Sequence, residues 1–263
     1  MLYLFKLTFT KICVYIMKKI ILIPSRLKST RLPLKALLNI EGLPLVIHTY
    51  KRACLSKLAD EVYVCTDSVE ILNVCKKYNA KAILTKKKHK NGTERIFEAA
   101  QKLKLNDNDI VIDVQGDEPL IQPSDIDKII KFFAKNKFEI VVPHIKFHTK
   151  NKTNIVKLLI NKNKKIMWMT RSDCPNHNSN RHVFNKHLSV IVFTYNSLRK
   201  YSKLKISKYE KIESIELLRA LENEMNLGSN EIKSDSFSID LLDDYLKAKN
   251  YFKKDKIKYL YLK

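Results

Sequence analysis

Glycine is close to absent from this chain, with four residues in 263. No G-x-x-x-x-G-K segment occurs, which excludes a Walker loop as the phosphate-binding device. Cysteine is sparse as well. Cys13, Cys54, Cys65, Cys75 and Cys174 are odd in number and form no C-x-x-C pair. That argues against a disulfide framework and a zinc site, and reduced thiols fit a cytoplasmic protein. Cys54, Cys65 and Cys75 fall in apolar stretches, where small buried residues are expected. No internal repeat and no linker rich in Pro, Gly or Ser divides the chain. Residues 17–263 are therefore expected to form a single domain.

Arginine is the third scarcity. The formal charge is +23, yet only eight of the fifty basic residues are arginine. A nucleic-acid binder clusters its charge and interleaves arginines or aromatics. Here the lysines are scattered among abundant Asn and Ile, the drift of an AT-rich genome. They read as solvated faces, with some of the field left to draw in an anionic substrate, and no nucleic-acid partner is expected. Nor is there a comfortable membrane span. The apolar residues 1–16 carry Lys6 and Lys11, and no small-residue cleavage site follows them. They are expected to be an extension before a native start at Met17, with a membrane anchor as the alternative; no stable membrane insertion is expected.

What the chain does have is 45% apolar content, enough for a substantial core. Residues 19–24 read as a buried strand stopped by Pro24. Helical spacing follows over 44–55, a strand over 61–65, a helix over 69–78, a strand over 82–84, a helix over 93–103 and a strand over 109–114. This alternation predicts an α/β fold: a doubly wound, mostly parallel mixed sheet of Rossmann-like type. Beyond residue 140 the pattern weakens. A strand pair is expected at 155–160 and 165–170 around the turn 161–164, an apolar run at 188–195, a helix over 207–224 and a last helix over 240–252.

Two polar loops follow strands directly and should share one edge of the sheet, where such folds bind ligands. Residues 24–35 place Arg26, Arg31 and Lys35 close together, as phosphate oxygens require; a solvated basic loop has the same composition. Residues 115–119, Gln-Gly-Asp-Glu-Pro, put Asp117 where one carboxylate could hold Mg²⁺ beside phosphates; the same residues also make an ordinary turn. In His89-Lys90-Asn91-Gly92-Thr93-Glu94-Arg95, Asn91-Gly92 can bring amides to a ligand and Thr93 can cap the next helix.

Three segments together carry a resemblance: Ile-Pro-Ser-Arg followed by Ser-Thr-Arg-Leu-Pro-x-Lys at 23–35, His-x-x-Gly-Thr-Glu-Arg at 89–95, and Val-Gln-Gly-Asp-Glu-Pro-Leu-Ile at 114–121. In order and spacing the chain resembles the 3-deoxy-manno-octulosonate cytidylyltransferases (CMP-Kdo synthetases) over about residues 18–250. The resemblance implies a nucleotide-diphospho-sugar-transferase-like fold with a smaller sugar-binding and dimerisation subregion at about 140–235, and a homodimer. It implies a magnesium-dependent transfer of CMP from CTP to 3-deoxy-D-manno-octulosonate (Kdo) for lipopolysaccharide biosynthesis. Arg26, Arg31 and Lys35 would hold the phosphates. Gly92, Thr93, Arg95 and Gln115 would surround nucleoside and sugar. Asp117 and Asp240 would bind Mg²⁺, and Arg171, His187 and Glu216 would serve the sugar acid. Glu213 and Glu216 would otherwise pass for a solvated helix face. The chain departs from the family pattern at Leu34, Ser189, Leu217 and Leu241, largely on the sugar side. A cytidylyltransferase for another acidic sugar, sialic-acid-like or 8-amino, is the near alternative. A non-catalytic nucleic-acid-binding derivative of the fold is the distant one.

Overall fold

The computed structural model describes residues 17–89, 91–148, 154–175 and 183–262. The expected extension at 1–16, with Cys13, lies outside them. The first half runs β1 (Lys19–Ser25), β2 (Asn39–Ile40), β3 (Leu43–Pro44), α1 (Leu45–Ala53), β4 (Glu61–Thr66), α2 (Val69–Lys77), β5 (Ala82–Leu84), α3 (Gly92–Lys102), β6 (Ile110–Val114) and α4 (Pro123–Lys135). The second half runs β7 (Ile140–Phe147), β8 (Lys157–Ile160), β9 (Ile166–Thr170), β10 (Phe184–His187), β11 (Val190–Thr194), α5 (Tyr195–Lys203), α6 (Lys208–Glu213), α7 (Leu218–Glu222), β12 (Leu227–Glu231) and α8 (Leu242–Lys254).

The strands β5, β4, β1 and β6 lie side by side and parallel. β1 and β6 are buried on both faces because helices cover both. Alternation then assigns each side chain. Ile21 and Ile23 face Val46, Ile71 and Ile129 of α1, α2 and α4. Ile20 and Leu22 face Ile96, Leu198 and Leu218 of α3, α5 and α7. The chain winds outward from β1 through β4 to β5, then returns to place β6 on the other side of β1. The switch point of the sheet thus falls between β1 and β6, where the crevice past the strand ends receives a ligand.

Beyond β6 the sheet turns mostly antiparallel. β11 pairs with β6 and β7, and β10 continues along the same edge of β7 after a break at Leu188–Ser189. The hairpin of β8 and β9 forms around residues 161–164 as expected. β12 covers the other edge of β7 in parallel. There Gly228 sits under Phe138, whose ring a Cβ at that position would strike.

Two expectations need correction. Cys65 and Cys75 are buried, but Cys54 is exposed at the end of α1. The helix expected over 207–224 is two short helices, α6 and α7, because Ser214 takes left-handed backbone angles of φ 53° and ψ 45°.

A third, smaller cluster joins Leu32, Ile40, Leu45, Leu120, Ile239, Ala248 and Phe252. It packs α8 against the loops that follow β1 and β6. The chain end is tied down nearby. Arg52 and Asp255 form a two-pronged pair at 3.2 and 3.0 Å. His48 donates from Nε2 to the Ile40 carbonyl (2.6 Å) and meets the Tyr261 hydroxyl at Nδ1 (2.9 Å).

Burial lowers the His48 pKa from 6.5 to about 4. The unfolded chain therefore binds this proton first as pH falls, and stability drops through the window from 6.5 to 4 by up to about 3 kcal/mol. Thermal melts of His48→Gln should show a flatter dependence in that window than the unsubstituted chain. Separately, Gly228→Ala should cost roughly 1–3 kcal/mol through overpacking against Phe138, read as a lower urea midpoint with an unchanged slope.

Candidate active site at the switch of the sheet

Residues 26–38 leave β1 as a polar loop anchored by the buried Leu32 and Ala36. Leu34 lies in the left-handed region (φ 52°, ψ 27°), uncommon for a residue with a Cβ, and a single 3-10 turn, Lys35–Leu37, follows. That turn sends the Lys35 side chain inward. A glycine at position 34 would adopt this geometry without strain, so the departure at Leu34 leaves the backbone path in place at a modest energetic cost.

The loop after β6 is held from several sides. A Cβ on Gly116 would come within 2.7 Å of the Pro24 carbonyl oxygen, so only glycine lets this loop approach the end of β1. Thr49 of α1 donates to the Gly116 carbonyl at 3.2 Å. The Asp117 carbonyl accepts from the Ile239 amide at 3.0 Å. This last bond lays residues 239–240 beside the loop and makes Asp117 and Asp240 neighbours.

Asp240 is oriented by Asp244, whose Oδ2 accepts the amides of Asp240 (3.0 Å) and Leu241 (2.9 Å) at the start of α8. Leu241 has no side-chain acceptor with which to cap this helix, so Asp244 carries the cap alone. Lys35 Nζ lies 2.6 Å from Asp117 Oδ2 and 3.2 Å from Asp240 Oδ1. Arg31 Nη2 reaches the same Asp240 oxygen at 2.9 Å. Arg26 stands exposed on the rim.

The third wall is the start of α3. Asn91, rather than Thr93, is the cap: its Oδ1 accepts from the Glu94 amide at 2.9 Å. Thr93 instead donates its hydroxyl to Glu216 Oε2 at 3.1 Å. A Cβ on Gly92 would press on the Pro24 ring at 3.1 Å. The positive end of the α3 dipole thus borders the cavity, a favourable setting for anions. Arg95 is buried, and its guanidinium is engaged by Thr85 (2.6 Å) and Asp67 (3.0 Å). His89 pairs with Glu98, whose carboxyl is brought down to about 2 by hydrogen bonds from Lys86, His89 and Lys102 that outweigh its burial.

These residues enclose a cavity of about 290 Å³, lined among others by Arg26, Arg31, Lys35, Gly92, Arg95, Gln115, Asp117, Glu216 and Asp240. A larger open groove of about 610 Å³ beside Leu120 and the end of α8 lacks the paired carboxylates and arginines. Three sequence-expected residues, Thr93, Arg171 and His187, do not line the cavity. Arg171 donates to the carbonyls of Glu213 (2.8 Å), Ser214 (3.2 Å) and Asn154 (3.2 Å). It thereby staples the bend between α6 and α7 to the end of β9, and that bend delivers Glu216. His187 ends β10 opposite His144; burial lowers its pKa to about 4, and its Nε2 has no hydrogen-bond partner among the described residues.

Sequence reasoning missed Asp113. It is fully buried in β6 and takes the Gln115 amide on both carboxylate oxygens, at 3.0 and 3.1 Å. Burial and the nearby Glu216 and Asp117 raise its pKa well above the ordinary carboxylate range. An acid inside an otherwise apolar strand was the available signal. Glu216 is raised too, first by burial. Glu118 points away from the cavity to Ser236 (2.5 Å), and Ser189 also reaches it.

The donor set suits a hard divalent cation. Oxygens of Asp117 and Asp240 surround one cation-sized position, now held by an ammonium, and two protein carboxylates leave the other positions for phosphate and water. No cluster of three or more His, Cys, Asp or Glu side chains forms a denser site among the described residues. Basic loops and a helix start at the switch of a parallel sheet, beside a carboxylate pair, define a nucleotidyltransferase type of α/β enzyme.

Similarity to known proteins makes the class specific. The chain belongs to the cytidylyltransferase family, whose model matches residues 20–231. It is 38% identical over 238 residues to the 3-deoxy-manno-octulosonate cytidylyltransferase of a Nitratiruptor species, covering 88% of this chain and 99% of that one. It is 34% identical over 238 residues to the 8-amino-3,8-dideoxy-manno-octulosonate cytidylyltransferase of Shewanella frigidimarina, covering 88% and 97%. The solved structure of a CMP:2-keto-3-deoxy-manno-octonic acid synthetase complexed with CTP superposes with a TM-score of 0.85 at 28% identity, covering 90% and 99%.

Gly116→Ala should push the Asp117 loop away from Pro24. A displacement near 1 Å at a positioning element lowers turnover about a hundredfold, so kcat should fall by that order while far-ultraviolet circular dichroism stays unchanged.

Proposed function

We propose that the protein transfers CMP from CTP to Kdo, giving CMP-Kdo and pyrophosphate for lipopolysaccharide biosynthesis. One observation carries this reading: Asp117 and Asp240, far apart in the chain, meet around a single Lys35 ammonium beside Arg31. The family match and the relatives named for this reaction support it.

The anomeric 2-hydroxyl of the sugar acid would attack the α-phosphorus, and pyrophosphate would leave. No covalent nucleophile is needed, because positioning and charge stabilisation carry such a transfer. Arg26, Arg31 and Lys35 hold the phosphates, with the start of α3 facing the same space. Asp117 and Asp240 hold Mg²⁺, which when bound supplies charge neutralisation to the phosphoryl oxygens. Gln115, fixed by Asp113, and Glu216, fixed by Thr93, offer hydrogen bonds to hydroxyls on the nucleoside and sugar side. Arg171 positions Glu216 in this reading, and His187 belongs to the sugar side through β10.

A homodimer formed through the second half of the chain completes the proposal. Its support is the exposed Met167 on β9, the end strand of the sheet order among the described residues, and Ile212 on α6. A cytoplasmic location is supported by the unpaired cysteines. No described helix is long and apolar enough to cross a membrane.

Pyrophosphate release with CTP and Mg²⁺ should be fast with Kdo and slow with sialic acid. Faster release with the 8-amino sugar would move the assignment to the function of the Shewanella relative. Absence of release with every acidic sugar would overturn it. Asp117→Asn and Asp240→Asn should each lower kcat by about three orders of magnitude, the scale of losing one charge-stabilising group, with unchanged circular dichroism.

A further inference from the structure

Lys35 occupies the place where the carboxylates would hold a divalent cation. Its Nζ sits 2.6 Å from Asp117 and 3.2 Å from Asp240, and its side chain is only 16% exposed. Arg31 adds a second positive charge on the Asp240 oxygen, from a side chain that is 63% exposed. The two carboxylates are therefore matched by two side-chain cations. A Mg²⁺ ion binds carboxylate oxygens at about 2.0–2.1 Å. It competes with the ammonium for these oxygens.

We propose that Lys35 is a built-in counter-ion that holds the metal position of the nucleotide-free enzyme and yields it only when the cation arrives with a triphosphate. This inference rests on the metal position argued above. A divalent cation arriving alone would strip Lys35 of its partners and leave it facing a double positive charge at short range. Arriving with CTP, the cation brings phosphate oxygens with it. Lys35 and Arg31 then exchange carboxylate for phosphate and lose no ion pair. The exchange needs only a side-chain swing. The Lys35 backbone is fixed, its carbonyl accepting from the Leu38 amide at 3.2 Å, while four rotatable methylenes carry a compact charge. Cation and nucleotide must then strengthen each other's binding by the same factor. The free protein resists loading with metal, and the carboxylate pair is kept compact without it.

The test is Mn²⁺ binding to the full chain, followed by the electron paramagnetic resonance signal of free Mn²⁺. Without nucleotide, Lys35→Gln should bind Mn²⁺ at least about tenfold more tightly than the unsubstituted protein, within the usual range of coupling between sites. Lys35→Arg, which keeps the charge, should stay as weak as the unsubstituted protein. Adding Asp117→Asn to Lys35→Gln should remove the gain. Equal Mn²⁺ affinity in the unsubstituted and Lys35→Gln proteins, with binding intact when a non-reacting CTP analogue is present, overturns the counter-ion role and leaves the proposed function standing. No protein-bound Mn²⁺ in either protein, even with the analogue, overturns the metal reading itself. A second measurement avoids dependence on how Lys35→Gln folds. In the unsubstituted protein, the Lys35 ammonium ¹⁵N resonance, identified by its loss in Lys35→Arg, should stay unmoved by Mg²⁺ alone and shift with Mg²⁺ plus the analogue. A shift with Mg²⁺ alone overturns the proposal.

Discussion

Two carboxylates brought together in a partly enclosed site repel one another unless a positive charge stands between them. In this protein that charge is the Lys35 ammonium. Much of the surrounding architecture can be understood as the means of holding the three groups in register. The backbone bond from Ile239 to Asp117 sets the spacing of the two loops, and Asp244 fixes the start of α8. The small apolar cluster around Leu32, Ile239 and Phe252 supplies the burial that offsets the cost of ordering these loops. Gly116, which allows the close approach to Pro24, completes the constraint.

Much of this was legible in the sequence, and for a physical reason. In the first half each element is local: a short apolar run as a parallel strand, then an amphipathic helix, capped by Ser68 at α2 and by Asn91 at α3. The phosphate-side residues lie in loops that follow strands, so topology alone brings them to one edge. The second half is written in longer-range terms. β10 carries Asn185, Lys186 and His187, and is a strand because β7 and β8 flank it, not because of its pattern. The break between α6 and α7 was invisible because Ile212, Ile215, Leu218 and Leu221 keep helical spacing straight through it. The helix ends where Ser214 turns left-handed, and the carbonyls at 213 and 214 are taken by Arg171, more than forty residues earlier. Asp244 carried a readable cap signal, four residues past Asp240, that only the structure connected to the site.

The departures from the family pattern have different physical weights. Leu217 is buried with Leu218 in the core on the α3 side of the sheet, so an apolar residue is at home there. Ser189 gains a role by reaching Glu118, a buried acid whose pKa burial has raised. Leu241 leaves a helix start without its own side-chain acceptor, and Asp244 makes up the loss. None of the three removes a charge from the phosphate side of the cavity.

The bend that presents Glu216 is secured by Arg171 through main-chain carbonyls, not by Arg31, Lys35 or the carboxylate pair. The bend and the basic loop are therefore anchored by different sets of bonds. Mutational drift along residues 207–222 would move Glu216 while the charge-bearing loops at the sheet edge keep their own anchors. Under the proposed roles, altering that one hinge changes the sugar accepted and leaves the nucleotide half of the reaction alone.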